Sequence, residues 1–193
     1  LLIFDEVITG FGRIGQHFGD ERLGVIPDIL TMAKGLTNAA VPMGAVAVKN
    51  EIYETIVDGT GAGIEFFHGY TYSGHPLACA AALAAMDLHV REDLPGRVRS
   101  IEGYWEEAAH SLRSAPNVID IRNHGLIAGI ELAPREGKPG DRAMRVFRRC
   151  FDEGVLVRVT GDIVALSPPL IVEKPQVDRL MGALNDAIHA EAA

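Results

Sequence analysis

The feature that most constrains this chain stands at its first residues. Leu1-Leu2-Ile3-Phe4 is an unbroken apolar run that ends on Asp5-Glu6. A short apolar run closed by polar residues reads as a strand buried on both faces, the kind that makes up parallel sheets. Parallel strands are joined by crossovers and need neighbours on both sides. No crossover precedes this strand, so the chain is expected to be the C-terminal part of a longer protein. The competing expectation is a compact domain with this strand at a sheet edge.

The rest of the chain divides by pattern. Residues 1–8 read as the first strand and residues 9–28, rich in glycine and polar side chains, as loop. Ile29 to Met32 reads as a strand, Lys34-Gly35 as a turn, and Gly44 to Val48 as another short buried strand. Asn50 is expected to cap a helix over Glu51 to Val57. Residues 58–75 carry Gly59, Gly61, Gly63, Gly69 and Gly74 and read as loop. Pro76 suits the first turn of a helix, where its missing N–H costs nothing. That helix, Pro76 to Val90, is apolar on nearly every face, which predicts burial.

After Leu94-Pro95 the pattern changes. Residues 96–113 read as a charged amphipathic helix. Val118 to Arg122 and Leu126 to Leu132 alternate like half-buried strands around Asn123-His124-Gly125. A helix over Asp141 to Glu153 stops at Gly154. Val155 to Val159 and Ile163 to Leu166 read as a hairpin around Thr160-Gly161-Asp162, and a last helix starts at Lys174. The expected fold class is α/β. Residues 1–92 form the C-terminal part of a mostly parallel large domain, and residues 93–193 form a small α+β domain with an antiparallel sheet.

Composition narrows the function. Among 193 residues, 18 are Lys or Arg and 26 are Asp or Glu, for a net charge of −8. That balance argues against a non-specific nucleic-acid or anionic-membrane binder. No stretch reaches the roughly 18 consecutive apolar residues of a membrane span. Cys79 and Cys150 are far apart, which fits a reducing cytoplasm, and neither they nor the seven histidines show metal-ligand spacing. Gly10-Phe11-Gly12-Arg13-Ile14-Gly15 spells G-x-G-x-x-G, but no helical period follows it. The strand before it also ends in two carboxylates that would oppose a phosphate.

Four features carry chemistry. Asp5 ends a buried strand, where open α/β sheets bind ligands, and a cationic ring nitrogen would satisfy its carboxylate. Taken alone, it is an ordinary polar strand end. Lys34 follows the next strand, and desolvation in a sheet crevice would make its amine a nucleophile. Taken alone, it is a surface lysine. As a pair, the two side chains can face one ligand. Thr71-Tyr72-Ser73-Gly74-His75-Pro76 precedes a helix N-terminus and reads either as an anion site or as simple capping. Arg158 sits in an apolar strand and reads either as a carboxylate fork or as an outward-facing residue.

With those residues in hand, the sequence resembles the class III pyridoxal-phosphate aminotransferases. The run from Leu1 through Asp5-Glu6-Val7-Ile8-Thr9-Gly10-Phe11-Gly12-Arg13 is similar to their aspartate motif. Thr31-Met32-Ala33-Lys34-Gly35-Leu36 is similar to their Schiff-base lysine segment. Phe67-His68-Gly69-Tyr70-Thr71-Tyr72-Ser73-Gly74-His75-Pro76 is similar to their phosphate-binding threonine region. Leu36-Thr37-Asn38, Val41-Pro42-Met43-Gly44-Ala45-Val46, Asn117 to Asn123 and Val157 to Asp162 resemble the ω-amino acid–pyruvate (β-alanine–pyruvate) branch.

The resemblance implies a fold-type-I transferase that uses pyridoxal 5'-phosphate to move an amino group from an ω-amino acid or amine to pyruvate. It implies that Lys34 holds the cofactor as a Schiff base and then shuttles the proton. Asp5 would pair with the ring nitrogen and Val7 would pack on the ring face. Thr71 would bind the phosphate from a neighbouring subunit, in a homodimer or homotetramer, and Arg158 would hold the carboxylate of pyruvate. The family's phosphate loop and ring-stacking aromatic lie upstream of Asp5. The 193-residue piece alone is therefore expected neither to hold the cofactor well nor to turn over. Two alternatives stay open at this point: a same-fold aminomutase or decarboxylase, and a truncated remnant acting only as a structural or dimerisation module.

Overall fold

The computed structural model describes residues 1–59, 63, 66 and 68–192. Gly61 of the glycine-rich stretch and Phe67 of the threonine region lie outside the described residues. The chain forms two compact units. One holds residues 1–12 and 16–95; the other holds residues 13–15 and 96–193.

The first unit is built on a three-stranded sheet. Strand β1 (Ile3–Asp5) pairs in parallel with β2 (Ile29–Met32), and β2 pairs antiparallel with β3 (Ala45–Val48). The strand order is β1-β2-β3, so the described sheet is mixed rather than mostly parallel. The register sets Ile3 opposite Ile29 and Asp5 opposite Thr31. Among the described residues, the α-helices of this unit are α1 (Gly19–Leu23), α2 (Asn50–Gly59) and α3 (Pro76–Arg91).

Several expectations need correction here. The loop expected over 9–28 contains α1. Its five residues are too few to show a helical period, and Gly24 closes it in the left-handed region at φ 66°. Asn50 lies inside α2 rather than capping it, because the carbonyl of Lys49 already accepts from Ile52 and Tyr53. The burial predicted for the first strand, for β3 and for α3 is not seen. Ile3 is 57% exposed, Val46 64%, and Leu83 on α3 69%. An apolar pattern reports that a face needs a partner; it does not say which segment supplies one. Here β1 and β3 are the two edges of a narrow sheet, and α3 buries only Ala78, Ala82 and His89.

The second unit has a conventional core. Its antiparallel sheet runs in the order β4-β5-β7-β6, from β4 (Val118–His124), β5 (Ile127–Leu132), β6 (Arg158–Thr160) and β7 (Ile163–Leu166). The helices are α4 (Leu94–His110), α5 (Asp141–Asp152) and α6 (Lys174–Ala190). Alternation places Ala128, Ile130 and Leu132 of β5 and Val164 and Leu166 of β7 in the core. Trp105, Val146, Val177 and Leu184 from the three helices complete it, each fully buried.

Strand β6 begins three residues later than the apolar run Val155 to Val159 suggests. The reason is the end of α5. Gly154 sits at φ 76°, its N–H bonds the carbonyl of Phe151, and the Val155 N–H bonds the carbonyl of Cys150. Val155 thus closes the helix as part of a Schellman motif and is not available for the sheet. In the core of this unit, burial pushes the Cys150 thiol up to about 11, so it behaves as an inert apolar side chain.

Residues 13–15 are packed into the second unit. The Leu126 N–H bonds the carbonyl of Arg13 at 3.0 Å, and Arg99 Nη1 donates to the carbonyl of Gly15 at 2.6 Å. Ile14 is 2% exposed. Gly125, in the β4–β5 turn at φ 54°, lies so close that a Cβ would meet Ile14 Cα at 2.5 Å and the Arg13 oxygen at 2.6 Å. Gly161, in the β6–β7 turn at φ 58°, faces open space. Both Gly125→Ala and Gly161→Ala put a Cβ in the left-handed region, at a cost of about 1–2 kcal/mol. Only Gly125→Ala also forces backbone apart, which adds about 1–3 kcal/mol. Urea unfolding of the two variants is expected to rank them in that order.

Candidate functional site

The first unit brings Asp5 and Lys34 together through its parallel ladder. Both lie at the C-terminal ends of adjacent strands, Asp5 as the last residue of β1 and Lys34 two residues beyond β2. The ends of parallel strands are where α/β sheets present ligand-binding groups. Asp5 Oδ1 accepts from the Val7 N–H at 3.1 Å and from the Thr31 hydroxyl at 3.4 Å. Those contacts orient the carboxylate, and Oδ2 makes no hydrogen bond to the described residues. Asp5 is exposed and Val7 half-buried.

Lys34 opens a one-turn 3-10 helix, Lys34–Leu36. Its φ is 39°, in the left-handed region that a lysine rarely adopts, and its side chain is exposed. Backbone strain of that kind costs about 1–3 kcal/mol and persists only where the surroundings hold it. Phe11 packs against the next residue, and the Lys34 carbonyl accepts from the Thr37 and Ala39 N–H groups. A Cβ on Gly35 would meet Phe11 Cβ at 2.7 Å, so only glycine fits against that side chain. Phe11 in turn packs edge-on against Phe18, with ring centroids 5.1 Å apart. The amine of Lys34 makes no hydrogen bond or ion pair with the described residues.

Below this pair lies a buried carboxylate. Glu6 is 2% exposed. Its Oε1 accepts from the Gly19 N–H at 2.6 Å, and its Oε2 accepts from the Thr9 hydroxyl at 2.5 Å. A Cβ on Gly19 would come within 2.5 Å of Oε1. Glu6 thus ties the loop that follows β1 to the first residue of α1. Two residues earlier, His17 Nδ1 and His89 Nε2 lie 3.0 Å apart and join the same loop to α3. Burial and the neighbouring His17 lower the pKa of His89 below its ordinary value, while Asp93 opposes the shift.

Thr71 is exposed in the turn before α3. It lines a cavity of about 950 Å³ with Val41, Gly44, Tyr70, Ser73 and His75. Neither Asp5 nor Lys34 lines that cavity. Capping does not account for the hydroxyls of this turn: the residue at the cap position is His75, which makes no side-chain cap bond, and Pro76 stands at the helix start. Tyr70, beside Thr71, has φ 48°.

Arg158 belongs to the second unit. It opens β6, an edge strand, opposite Ala165 of β7. Val157 is buried, Val159 half-buried and Arg158 exposed, so its guanidinium faces outward. It makes no hydrogen bond or ion pair with the described residues. It lines a cavity of about 870 Å³ with Phe147, Leu156, Pro168 and Ile171.

A carboxylate and an amine at neighbouring strand ends, both with free valences, make up a constellation that a family can be tested against. The family model for class-III aminotransferases matches residues 1–188. The chain belongs to the class-III aminotransferase family. The omega-aminotransferase of Caulobacter vibrioides is 63% identical over 185 residues, covering 96% of this chain and 42% of the relative. The beta-alanine–pyruvate aminotransferase of Pseudomonas aeruginosa is 44% identical over 194 residues, covering all of this chain and 43% of the relative. Among solved structures, an (S)-enantioselective omega-transaminase from Thermomicrobium roseum superposes with a TM-score of 0.89 at 36% identity, covering 100% of this chain and 44% of that one. A Bacillus anthracis aminotransferase gives 0.88 at 37% identity, covering 98% and 45%. The class-III chain therefore spans about two fifths of the length of these relatives, and its fold is part of the fold-type-I transaminase architecture.

Three residues of this class-III site were not singled out from sequence. Thr31 orients Asp5, Phe11 supports the Lys34 turn, and Glu6 anchors the loop. Only Phe11 carried a signal: a large aromatic between two glycines is unusual where a loop has nothing to pack on. Replacing Glu6 leaves the buried Gly19 N–H without an acceptor. Glu6→Ala is expected to lower the unfolding free energy by about 1–3 kcal/mol, read as a shift of the urea midpoint at unchanged slope.

Proposed function

We propose that the protein carrying this chain is a pyridoxal-phosphate-dependent transaminase that moves an amino group from an ω-amino acid or amine to pyruvate. The observation that carries this reading is the pairing of Asp5 and Lys34 at adjacent parallel strand ends. The donor set suits the cofactor: an oriented carboxylate for a cationic ring nitrogen, an unengaged primary amine for an aldehyde carbon, and an apolar Val7 next to the carboxylate.

When bound, pyridoxal phosphate supplies an electron sink for the charge left on the donor's carbon. The protein's part is to bind, orient and move protons. Asp5 would pair with the ring nitrogen and keep it protonated; the Val7 N–H and the Thr31 hydroxyl orient its carboxylate. Lys34 Nζ would hold the cofactor, and its amine would carry the proton of the donor's amine-bearing carbon. Val7 would lie against the ring face. Thr71 would offer its hydroxyl to the phosphate bound by a neighbouring subunit, so that a homodimer, or a homotetramer built from one, would be the active form.

Arg158 is the residue for the carboxylate of pyruvate. Its fork is outward-facing and unpaired within the described residues, so it can engage a carboxylate and withdraw for an amine that has none. The likeness to the beta-alanine–pyruvate aminotransferase of Pseudomonas aeruginosa supports that acceptor.

Two variants of the full-length protein test the reading. Lys34→Ala is expected to abolish the lysine-dependent visible absorbance of the bound cofactor and to lower turnover by roughly 10³-fold or more. Arg158→Leu is expected to keep that absorbance and to raise the KM for pyruvate by about 10–100-fold, the equivalent of about 1.5–3 kcal/mol for a charged hydrogen-bonding pair. A full-length protein without the absorbance band would refute the proposal.

A further inference from the structure

We infer that Arg13 is a positioning residue for Arg158, and so sets how well the protein recognises a carboxylate-bearing substrate. The inference rests on the transaminase reading above for its kinetic part and on geometry alone for its structural part.

Arg13 Nη1 donates to the carbonyl of Pro168 and, at 3.4 Å, to the carbonyl of Leu126. These acceptors lie 155 and 113 residues away along the chain. Burial lowers the pKa of the guanidinium below its ordinary value, yet an arginine keeps its charge, so the two carbonyls are held by a permanent cation. Pro168 stands two residues beyond β7, and β7 is the strand against which β6 and Arg158 are aligned. Pro168 also shares the 870 Å³ cavity with Arg158.

The β6–β7 hairpin needs such an anchor. Strand β6 has three residues and lies at the sheet edge, with β7 as its one neighbour in the sheet. Short edge strands sit at the low end of local stability. The segment after β7 contains Pro168 and Pro169, which have no N–H with which to extend the ladder. Arg13 supplies from outside what the ladder lacks. It is itself fixed: the Arg13 carbonyl accepts from Leu126, Ile14 is buried, and Arg99 holds the carbonyl of Gly15. The cation is thus presented on a rigid backbone, and its removal releases the far end of β7 without touching Arg158.

The test uses the full-length, cofactor-loaded protein and two readouts. The first is amide hydrogen exchange over residues 158–168. Arg13→Ala is expected to speed exchange there by roughly tenfold or more, and Arg13→Lys, which keeps the charge but not the fork, is expected to fall between it and the wild type. The second is steady-state kinetics with pyruvate as acceptor and 1-phenylethylamine, which has no carboxylate, as donor. Arg13→Ala is expected to raise the KM for pyruvate by about tenfold, one hydrogen bond's worth, with less than a twofold change in the KM for the amine. A KM for the amine that rises in step with that for pyruvate would reduce Arg13 to a general stabiliser and overturn the inference. Unchanged exchange over 158–168 would overturn it as well. If the wild type shows no pyruvate-dependent turnover, the transaminase reading falls, and exchange alone then decides whether Arg13 positions the hairpin.

Discussion

The candidate site depends on a three-residue parallel ladder. Asp5 is opposite Thr31, and from that register everything at the site follows. It places the Thr31 hydroxyl where it can bond Asp5, and Lys34 follows three residues beyond Thr31. A slip of one residue would turn Asp5 to the opposite face of the sheet, because side chains alternate with a period of two. The ladder is short, and the loops around it secure it. Glu6 accepts from the Gly19 N–H at the start of α1 and from the Thr9 hydroxyl of its own loop, and Phe11 packs against Gly35. The Lys34 turn, at positive φ, is bounded by Phe11 packed on Gly35 and by backbone hydrogen bonds to the Lys34 carbonyl.

Much of this was legible in the sequence, and the reasons for what was not are specific. Ile29 to Met32, Ile163 to Leu166 and the helix starting at Pro76 were readable because their patterns are local: an apolar run, an alternation, a proline at a first turn. Asp5 and Lys34 were readable as a pair because each follows a strand. Glu6 and Thr31 were not, since their partners are fixed by tertiary contacts that no period encodes. The burial of the first strand, of β3 and of α3 was misjudged for a related reason. Hydrophobicity says that Leu83 and Val90 belong against something apolar, and the described residues do not provide it. In the second unit, where the helices and the sheet that cover one another lie among the described residues, Ile130, Val164 and Leu184 are buried in a core.

The two units also differ in how they use charge. The second unit closes its C-terminal end around Glu191, whose carboxylate accepts from Arg149 at 2.6 Å and from Arg135 at 3.1 Å while Arg142 bonds its carbonyl. Arg142 and Arg149, both on α5, are thus engaged in holding the C-terminal end. Arg158 is outside that network.

The excursion of residues 13–15 into the second unit bears on how the gene for such a protein can be recombined. The sequence suggests a clean boundary near residue 92, and a chimera joined there would carry a small unit from one parent and its aspartate motif from another. The structure places the triplet Arg13-Ile14-Gly15 on the far side of that junction. A compatible graft must therefore bring three residues from deep within the upstream half, matched to the glycine at 125 and the proline at 168 of the small unit they enter. Those contacts are a constraint on breakpoints that linear domain maps do not display.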